Sequence, residues 1–545
     1  MVIIVSWAVW GGGRDDRPDV LLITIDTLRA GASKADAPML YRIARRGIFC
    51  QRARTVTPLT LPSHASLLTG RLPPVHGMRG NTAPPLPPDR DYPLLAEEFK
   101  EAGYETAAFI ASGVLDARYG LNGGFDTWQA PPAPKPGEPQ FPTLDGMEQA
   151  RRVTEWMAQS KGDKPRFVWV HLWDPHDPYR PRQGDPVRTR TTTASDLPAD
   201  RYWGEVSHAD AALEKIVKLF AQDRTVVVVT SDHGESLGEH GEATHGFLVY
   251  GATMDIPLVM AGPGVPVQGV IAGPNSIVDI APTLRELCDL PPQRSDGFSL
   301  LAEPVVGRIV VGESLYGNAV HGWAQQSVAT DGRFTLVDGG PRVELFDRDR
   351  DPRELTPAAS LTGHPAYARL DRALLDYQQQ KSVTSGDPTA FAEIPYGMVT
   401  RSVGGFLTRA ENRKLADVAT SLPADRLLMR MRTAISTRNP RVVEHLLGRI
   451  EGLEQQFPDD PAPSFTRGRA LLFVLRRPQA AAEAFQEAQR RGYRSQDLSR
   501  LVAVARADAA LKVEDRVEAR RILQEAIDKG LGNEAMRKKL ASLGG

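Results

Sequence analysis

Cysteine is almost missing: Cys50 and Cys288 are the only two in 545 residues. Two thiols cannot build the disulfide framework of a small secreted scaffold. Both lie in apolar contexts, Ile48-Phe49-Cys50 and Leu284 to Leu290, and read as free buried thiols; they do not decide the compartment. Charge of one sign is missing too. The 66 Lys and Arg stand against 67 Asp and Glu for a net charge of −1, and the basic residues form no block, which removes nucleic acid as an expected partner. Nor does any apolar run reach the roughly 20 residues that a bilayer span takes. The apolar start Met1–Trp10 is followed by Gly11-Gly12-Gly13, without a basic leader or a small-residue cleavage site. It reads as the tail of an export signal or anchor. Membrane association is therefore expected through the N-terminus only, and the location as periplasm or cell envelope, with the cytoplasm as the alternative.

What is present is enough chain for two or three domains, with 41% hydrophobic residues to fill their cores. Val20-Leu-Leu-Ile-Thr-Ile25, Phe167–Trp173 and Thr225-Val-Val-Val-Val-Thr-Ser231 are runs of strand length, apolar on both faces, as parallel strands buried between helices are. Asp26, Asp174 and Asp232-His233 stand at their C-terminal ends. Open α/β sheets bind ligands outside the carboxyl ends of their strands. Thr57–Gly70 reads as a Pro-bracketed turn holding Thr60, then a helix with Ser63 as a possible cap and Gly70 at its end. Thr60 then lies where a helix N-terminus favours an anion, and a hydroxyl there suits a nucleophile. The stretch alone fits an ordinary turn before a surface helix equally well. Two Asp, a His and a hydroxyl together also suit a divalent metal.

Three segments, Asp26-Thr-Leu-Arg29, Thr60-Leu-Pro-Ser-His64-Ala-Ser-Leu-Leu-Thr-Gly70 and Ser231-Asp-His-Gly-Glu-Ser-Leu-Gly-Glu-His240-Gly241, resemble the sulfatase family of the alkaline phosphatase superfamily. Gly124-Phe-Asp126, Trp173-Asp-Pro-His-Asp-Pro-Tyr179, Asp279-Ile-Ala-Pro-Thr283, Asp296-Gly-Phe-Ser-Leu300 and Glu344-Leu-Phe-Asp347 follow in the family's order, so the match covers roughly residues 18 to 360. The resemblance implies a doubly wound α/β hydrolase domain, a metal, and a covalent intermediate on residue 60.

This chain departs from the family's pattern in two places. Many sulfatases have two adjacent Asp where it has Asp26-Thr27. Standard sulfatases have at position 60 a Cys or Ser, converted to formylglycine, and an Arg four residues on; here these are Thr60 and His64. Formylglycine cannot be made from Thr. The pattern is closer to the Thr-nucleophile branch of the superfamily, in which a metal-bound Thr attacks phosphorus. The expected ligands are Asp26, Thr60, Asp232 and His233, for one divalent ion (Zn, Mn, Ca or Mg, with the imidazole favouring Zn or Mn) and room for a second. His245 and His176 are candidate acids for the leaving oxygen. His64, Arg29, Asp174 and His240 are candidates for the anionic ester substrate, the last two also for the second ion. His171 and His208 read as structural.

The expected fold is an α/β, doubly wound alkaline-phosphatase-like sheet domain with a small antiparallel C-terminal subdomain, followed by an all-α helical-repeat domain. The divisions are an apolar segment at 1–17, the catalytic domain at 18–325, the subdomain at 326–385, a linker at 386–407 and the helical domain at 408–545. In the last, Ala482, Phe485 and Ala488 recur as Ala519, Ile522 and Glu525, an offset of 37 (519 less 482) that resembles irregular tetratricopeptide hairpins. A plain helical bundle is the alternative. Either would serve to bind a protein partner. For the whole chain the leading reading is a metal-dependent phosphate or sulfate ester hydrolase. A phospho-headgroup transferase and a non-catalytic binding protein are the competing ones.

Overall fold

The computed structural model describes residues 17–132, 142–180, 197–361, 363–380, 405–493 and 495–543. The apolar start Met1–Trp10 and most of the linker expected at 386–407 lie outside the described residues. The chain divides into two compact units: residues 1–76, 86–237 and 251–310 form the first, and residues 77–85, 238–250 and 311–545 the second.

The first unit is built on an eight-stranded sheet. Its strands are β1 (Asp19–Ile25), β2 (Ile48–Arg54), β3 (Glu105–Phe109), β4 (Thr127–Gln129), β5 (Arg166–Leu172), β6 (Thr225–Thr230), β7 (Leu258–Ala261) and β8 (Gly269–Ser276). Their order is β4-β3-β5-β1-β6-β7-β2-β8, and β7 alone runs against the rest. The three apolar runs are the central strands β5, β1 and β6, every residue of them buried. On one face Leu21, Ile23, Val168, Val170 and Val229 pack with Val153 and Trp156 of the helix Gly146–Gln159 and with Val206 and Leu213 of Leu197–Val217. On the other, Phe167 stacks at 4.3 Å on Phe99 of the helix Leu95–Glu101. Thr24, His171 and Thr230 stand in register across β1, β5 and β6, one residue or two before the sheet's carboxyl edge.

The second unit holds an antiparallel sheet, ordered β12-β11-β10-β9, of β9 (Val310–Ser314, whose first residue is counted with the first unit), β10 (Gln326–Thr330), β11 (Phe334–Asp338) and β12 (Val343–Asp347). The helix Pro365–Gln378 packs on it through Leu370 and Leu374. Seven helices follow between Val418 and Ser542, each against the next. Ala482, Phe485, Ala488, Ala519 and Ile522 are buried there, whereas Glu525 faces out and Ala526 takes the inner position. Among the described residues no helix is long and apolar enough to cross a membrane.

Candidate active site

The helix expected after Pro62 begins earlier, at Thr60, and runs to Thr69. Gly70 ends it at φ 70°, the left-handed cap that its position suggests. Ser63 is not the cap. Its hydroxyl donates to the Asp232 carbonyl at 2.7 Å and pairs with Thr55 Oγ1 at 2.9 Å, tying this helix to the end of β6. Thr60 is therefore the first helical residue rather than part of the entry loop, 1% exposed, with Oγ1 3.4 Å from His233 Nε2.

Asp26 follows β1, and Asp232 and His233 lie just beyond β6. Asp26 Oδ1 is 3.8 Å from His233 Nε2, and Asp232 Oδ2 is 3.5 Å from it. One ligand-type atom from each of the three lies within 4.8 Å of the others. Asp232 Oδ1 is held by the His233 and Thr27 N–H groups at 2.8 and 3.2 Å. Asp232 Oδ2 and both oxygens of Asp26, by contrast, receive no hydrogen bond from the described residues and are shut from solvent. Buried carboxylates left this way cost several kcal/mol each unless a cation or a proton answers them. Burial and the neighbouring Asp232 drive the Asp26 carboxyl well up. Burial pushes Asp232 the same way, but His233, through its ring and its main-chain N–H, outweighs it and holds it down. His233 Nδ1 lies 3.0 Å from the Gly234 carbonyl. A carbonyl only accepts, so Nδ1 carries a proton and Nε2 faces the acids and Thr60. Burial disfavours the charged ring, but Asp232 and Asp26 outweigh it and raise its pKa, and a cation held by those carboxylates would take the Nε2 lone pair in place of a proton. This donor set fits a divalent cation.

Thr27 stands where many sulfatases carry a second Asp. It adopts φ 58°, an unusual conformation for a β-branched residue, and its hydroxyl donates to the Asp26 carbonyl at 2.7 Å. That hydrogen bond ties the hydroxyl to its own main chain, and it brings no carboxylate to the place of the second Asp.

The other expected residues divide. Arg29 is half-buried beside the centre, its main-chain N–H on Tyr202 Oη at 2.9 Å and its guanidinium 3.4 Å from the Ser236 carbonyl. His176 stacks on Trp173 at 3.7 Å, with Nδ1 2.6 Å from the Asp177 carbonyl. Asp174 Oδ2 takes the Gly146 N–H at 2.7 Å, at the entrance to the helix Gly146–Gln159. His64 is completely buried, with Nδ1 2.8 Å from the Thr60 carbonyl and Nε2 2.9 Å from Thr24 Oγ1, so both of its nitrogens face protein groups. His240 and His245 belong to the second unit. His240 stacks on Tyr250 at 3.8 Å with Nε2 3.1 Å from the Arg353 carbonyl, and His245 is half-buried.

Two residues escaped the sequence reading. His171 Nε2 lies 3.4 Å from Asp26 Oδ2, completely buried. Glu235 is buried too, near enough to His176 and His233 to feel both; burial raises its carboxyl to about 7 against their pull. An acid directly after Asp232-His233-Gly234 was the one available signal for it.

Fold and cluster together define an α/β hydrolase-type protein with a candidate metal centre at the carboxyl edge of its sheet. The sulfatase family model matches residues 18–290, half of the chain, and the chain belongs to the sulfatase family, whose members are ester hydrolases. It is similar to the Delta 4,5-hexuronate-2-O-sulfatase of Bacteroides thetaiotaomicron, 23% identical over 441 residues, with 66% of this chain and 88% of that protein covered. Choline-sulfatase of Rhizobium meliloti is 24% identical over 465 residues, with 69% of this chain and 88% of that protein covered. Among solved structures, the phosphonate monoester hydrolase of Agrobacterium radiobacter shares the fold at a TM-score of 0.51 and 21% identity, covering 66% of this chain and 94% of that one.

Proposed function

We propose that this chain hydrolyses phosphate esters, with sulfate esters second, through Thr60 as nucleophile. The observation that carries the reading is the pair of carboxylates, Asp26 and Asp232, buried with three oxygens unanswered beside the Thr60 hydroxyl and the Nε2 lone pair of His233. Asp26, Asp232, His233 and Thr60 would hold a divalent cation, with Zn or Mn best suited to the imidazole. Bound there, such an ion stabilises the anion of a hydroxyl and the charge that develops on an ester in the transition state.

The remaining chemistry falls to the chain's own residues. Thr60 Oγ1 gives its proton to water and attacks phosphorus, and the bond from phosphorus to the leaving oxygen breaks as the new bond forms. His176 is the candidate acid for the leaving oxygen, with His245 as the alternative, a role worth roughly 10²–10⁴-fold. Water then cleaves phospho-Thr60 and restores the hydroxyl. Arg29 would neutralise the substrate anion. The Thr at position 60 and the phosphonate monoester hydrolase among the fold's neighbours support phosphorus as the reacting centre. The helical array is read as tetratricopeptide-like hairpins that bind a protein partner, and the apolar N-terminus as a sign of export.

An aryl phosphodiester tests the reaction. Hydrolysis should require added divalent metal and fall at least 10³-fold in Thr60→Ala, the scale at which removing a catalytic nucleophile acts. Undiminished metal-dependent turnover in Thr60→Ala would refute the nucleophile, and faster turnover of the aryl sulfate would reverse the substrate order.

A further inference from the structure

Beside the Asp26–Asp232–His233 group lies a second group of ligand-type side chains, His64, His171 and Asp232, all buried. Its composition suggests a place for a second cation. The hydrogen bonds decide otherwise, because they fix where each imidazole carries its proton.

At His64, Nδ1 faces the Thr60 carbonyl at 2.8 Å and must donate. Nε2 faces Thr24 Oγ1 at 2.9 Å, and Trp169 Nε1, which can only donate, lies 3.1 Å from that same oxygen. The directions form one consistent chain: Trp169 N–H to Thr24 oxygen, Thr24 O–H to His64 Nε2, His64 Nδ1–H to the Thr60 carbonyl. At His171, the Ala111 main-chain N–H donates to Nδ1 at 3.4 Å. The proton of a neutral ring then sits on Nε2, 3.4 Å from Asp26 Oδ2. A protonated nitrogen cannot coordinate a metal, and neither ring has a lone pair left for one. Of these three rings, only His233 turns the nitrogen opposite its carbonyl-bonded one toward the acids and Thr60.

We infer that His64 is a positioning residue, locked by its hydrogen bonds in the Nδ1–H tautomer, and that neither it nor His171 is a ligand of a second cation. His64 and Thr24 hold the main chain of the nucleophile, and His171 Nε2 stands 3.4 Å from Asp26 Oδ2 without hydrogen-bonding to it. The β1–β5 register that sets Thr24 opposite His171 makes the arrangement possible, since both then face the helix carrying Thr60 and His64. In this chain the residue four positions beyond the nucleophile thus acts through the main chain of residue 60 rather than on the ester.

The inference rests on the Thr60 reading for its consequences in turnover, and its test separates the two. Selective ¹⁵N-histidine spectra of the full chain at pH 7 report each tautomer without any turnover, with His64→Gln and His171→Gln assigning the signals. His64 should appear as the Nδ1–H form and His171 as the Nε2–H form. The reverse tautomer at either ring overturns the inference whether or not the protein is an active hydrolase. The number of zinc ions bound per chain at saturating zinc should be the same in wild type, His64→Gln and His171→Gln, whatever the change in affinity; one ion fewer at saturation in either variant identifies a ligand and also overturns the inference.

In turnover, Thr24→Val keeps the shape but removes the hydroxyl, and Thr24→Ser does the opposite. Misplacement of a reacting group by about 1 Å costs on the order of 100-fold, so kcat should fall roughly 10- to 100-fold in Thr24→Val with KM unchanged, and return in Thr24→Ser. A purely structural residue would show the opposite order, Val tolerated and Ser not. Full kcat in Thr24→Val refutes the positioning role, whereas full activity in Thr60→Ala refutes the underlying reading and leaves the tautomers and the metal content to judge the rest.

Discussion

His64 in the first unit and His321 in the second both have completely buried side chains, yet their surroundings leave one neutral and make the other a cation. His64 meets a carbonyl on one nitrogen and a hydroxyl on the other, and a hydroxyl can donate as readily as it accepts. Burial holds its pKa down to about 3, with His171 adding to that and Asp232 pulling the other way. His321 meets Asp460 Oδ2 at 2.9 Å on Nδ1 and Asp425 Oδ1 at 3.2 Å on Nε2. Two carboxylates only accept, so both nitrogens carry protons. Burial again favours the neutral ring, but here the two ionic hydrogen bonds outweigh it and raise the pKa. Desolvation has the same sign at both sites; the partner's hydrogen-bonding capacity decides the outcome. The neutral ring can align a nucleophile without adding charge to the catalytic centre. The charged one joins a residue beside the small sheet to Asp425 of the helix Val418–Ser436 and to Asp460, just ahead of Ala462–Phe473.

The strongest way to break this contrast is to remove the charged ring. His321→Leu leaves the Asp460 carboxylate buried and Asp425 part-buried without their shared cation, and breaking a buried pair on one side costs about 3–5 kcal/mol. The helical signal should melt at markedly lower urea, and adding Asp425→Asn and Asp460→Asn should recover part of the loss. A midpoint equal to wild type would show that the ring is not charged. The second test uses pH and predicts slopes of opposite sign. His321 has a folded pKa above its unfolded value of about 6.5, so its contribution is whole below pH 6.5 and fades as pH rises through the folded pKa. His64 has a folded pKa near 3, so the unfolded chain binds more protons between about pH 3 and 6.5, and its contribution is lost as pH falls through that window. Unfolding midpoints of wild type against His321→Gln should therefore converge on the alkaline side. Those of wild type against His64→Gln should converge on the acid side.

The contrast also shows what the sequence could convey. Strands β1, β5 and β6 were legible because burial on both faces leaves an unbroken apolar run. With them came Asp26, Asp232 and His233, since position after such a run is itself the signal. Strand β2, with Gln51, Arg52 and Arg54 among its apolar residues, and β8, an edge strand containing Gly273 and Pro274, carry no such run and went unread. His171 reads as structural in the sequence, where it sits inside an apolar run. Its place beside Asp26 depends on which strand pairs with which and in what register, and a single chain of letters does not display that. Likewise His64 invited a role on the ester because it stands four residues from Thr60. Only the packing of Thr24 and Trp169 against its ring shows the proton pointing back at the Thr60 carbonyl.

A smaller effect tests whether the helical array around His321 is as tightly fitted as the centre around His64. Within it, Gly468 and Gly448 lie in neighbouring helices but in different surroundings. A Cβ at Gly468 would come within 2.5 Å of the Phe485 ring, which is itself completely buried in the array's core. At Gly448 an added Cβ meets nothing within 4 Å. Alanine in a helix is intrinsically better than glycine by about 1 kcal/mol, so Gly448→Ala should raise the unfolding midpoint by roughly that amount. Gly468→Ala makes the same backbone gain but forces the ring aside, and overpacking costs about 1–3 kcal/mol. The net should be a loss of up to about 2 kcal/mol. Truncating the ring in Gly468→Ala/Phe485→Leu should remove the clash, so that the double variant loses less than the two single losses added together. Strict additivity would mean that the ring already moves freely, and that the array around His321 lacks the fixed packing that a buried, twice-bonded imidazolium requires.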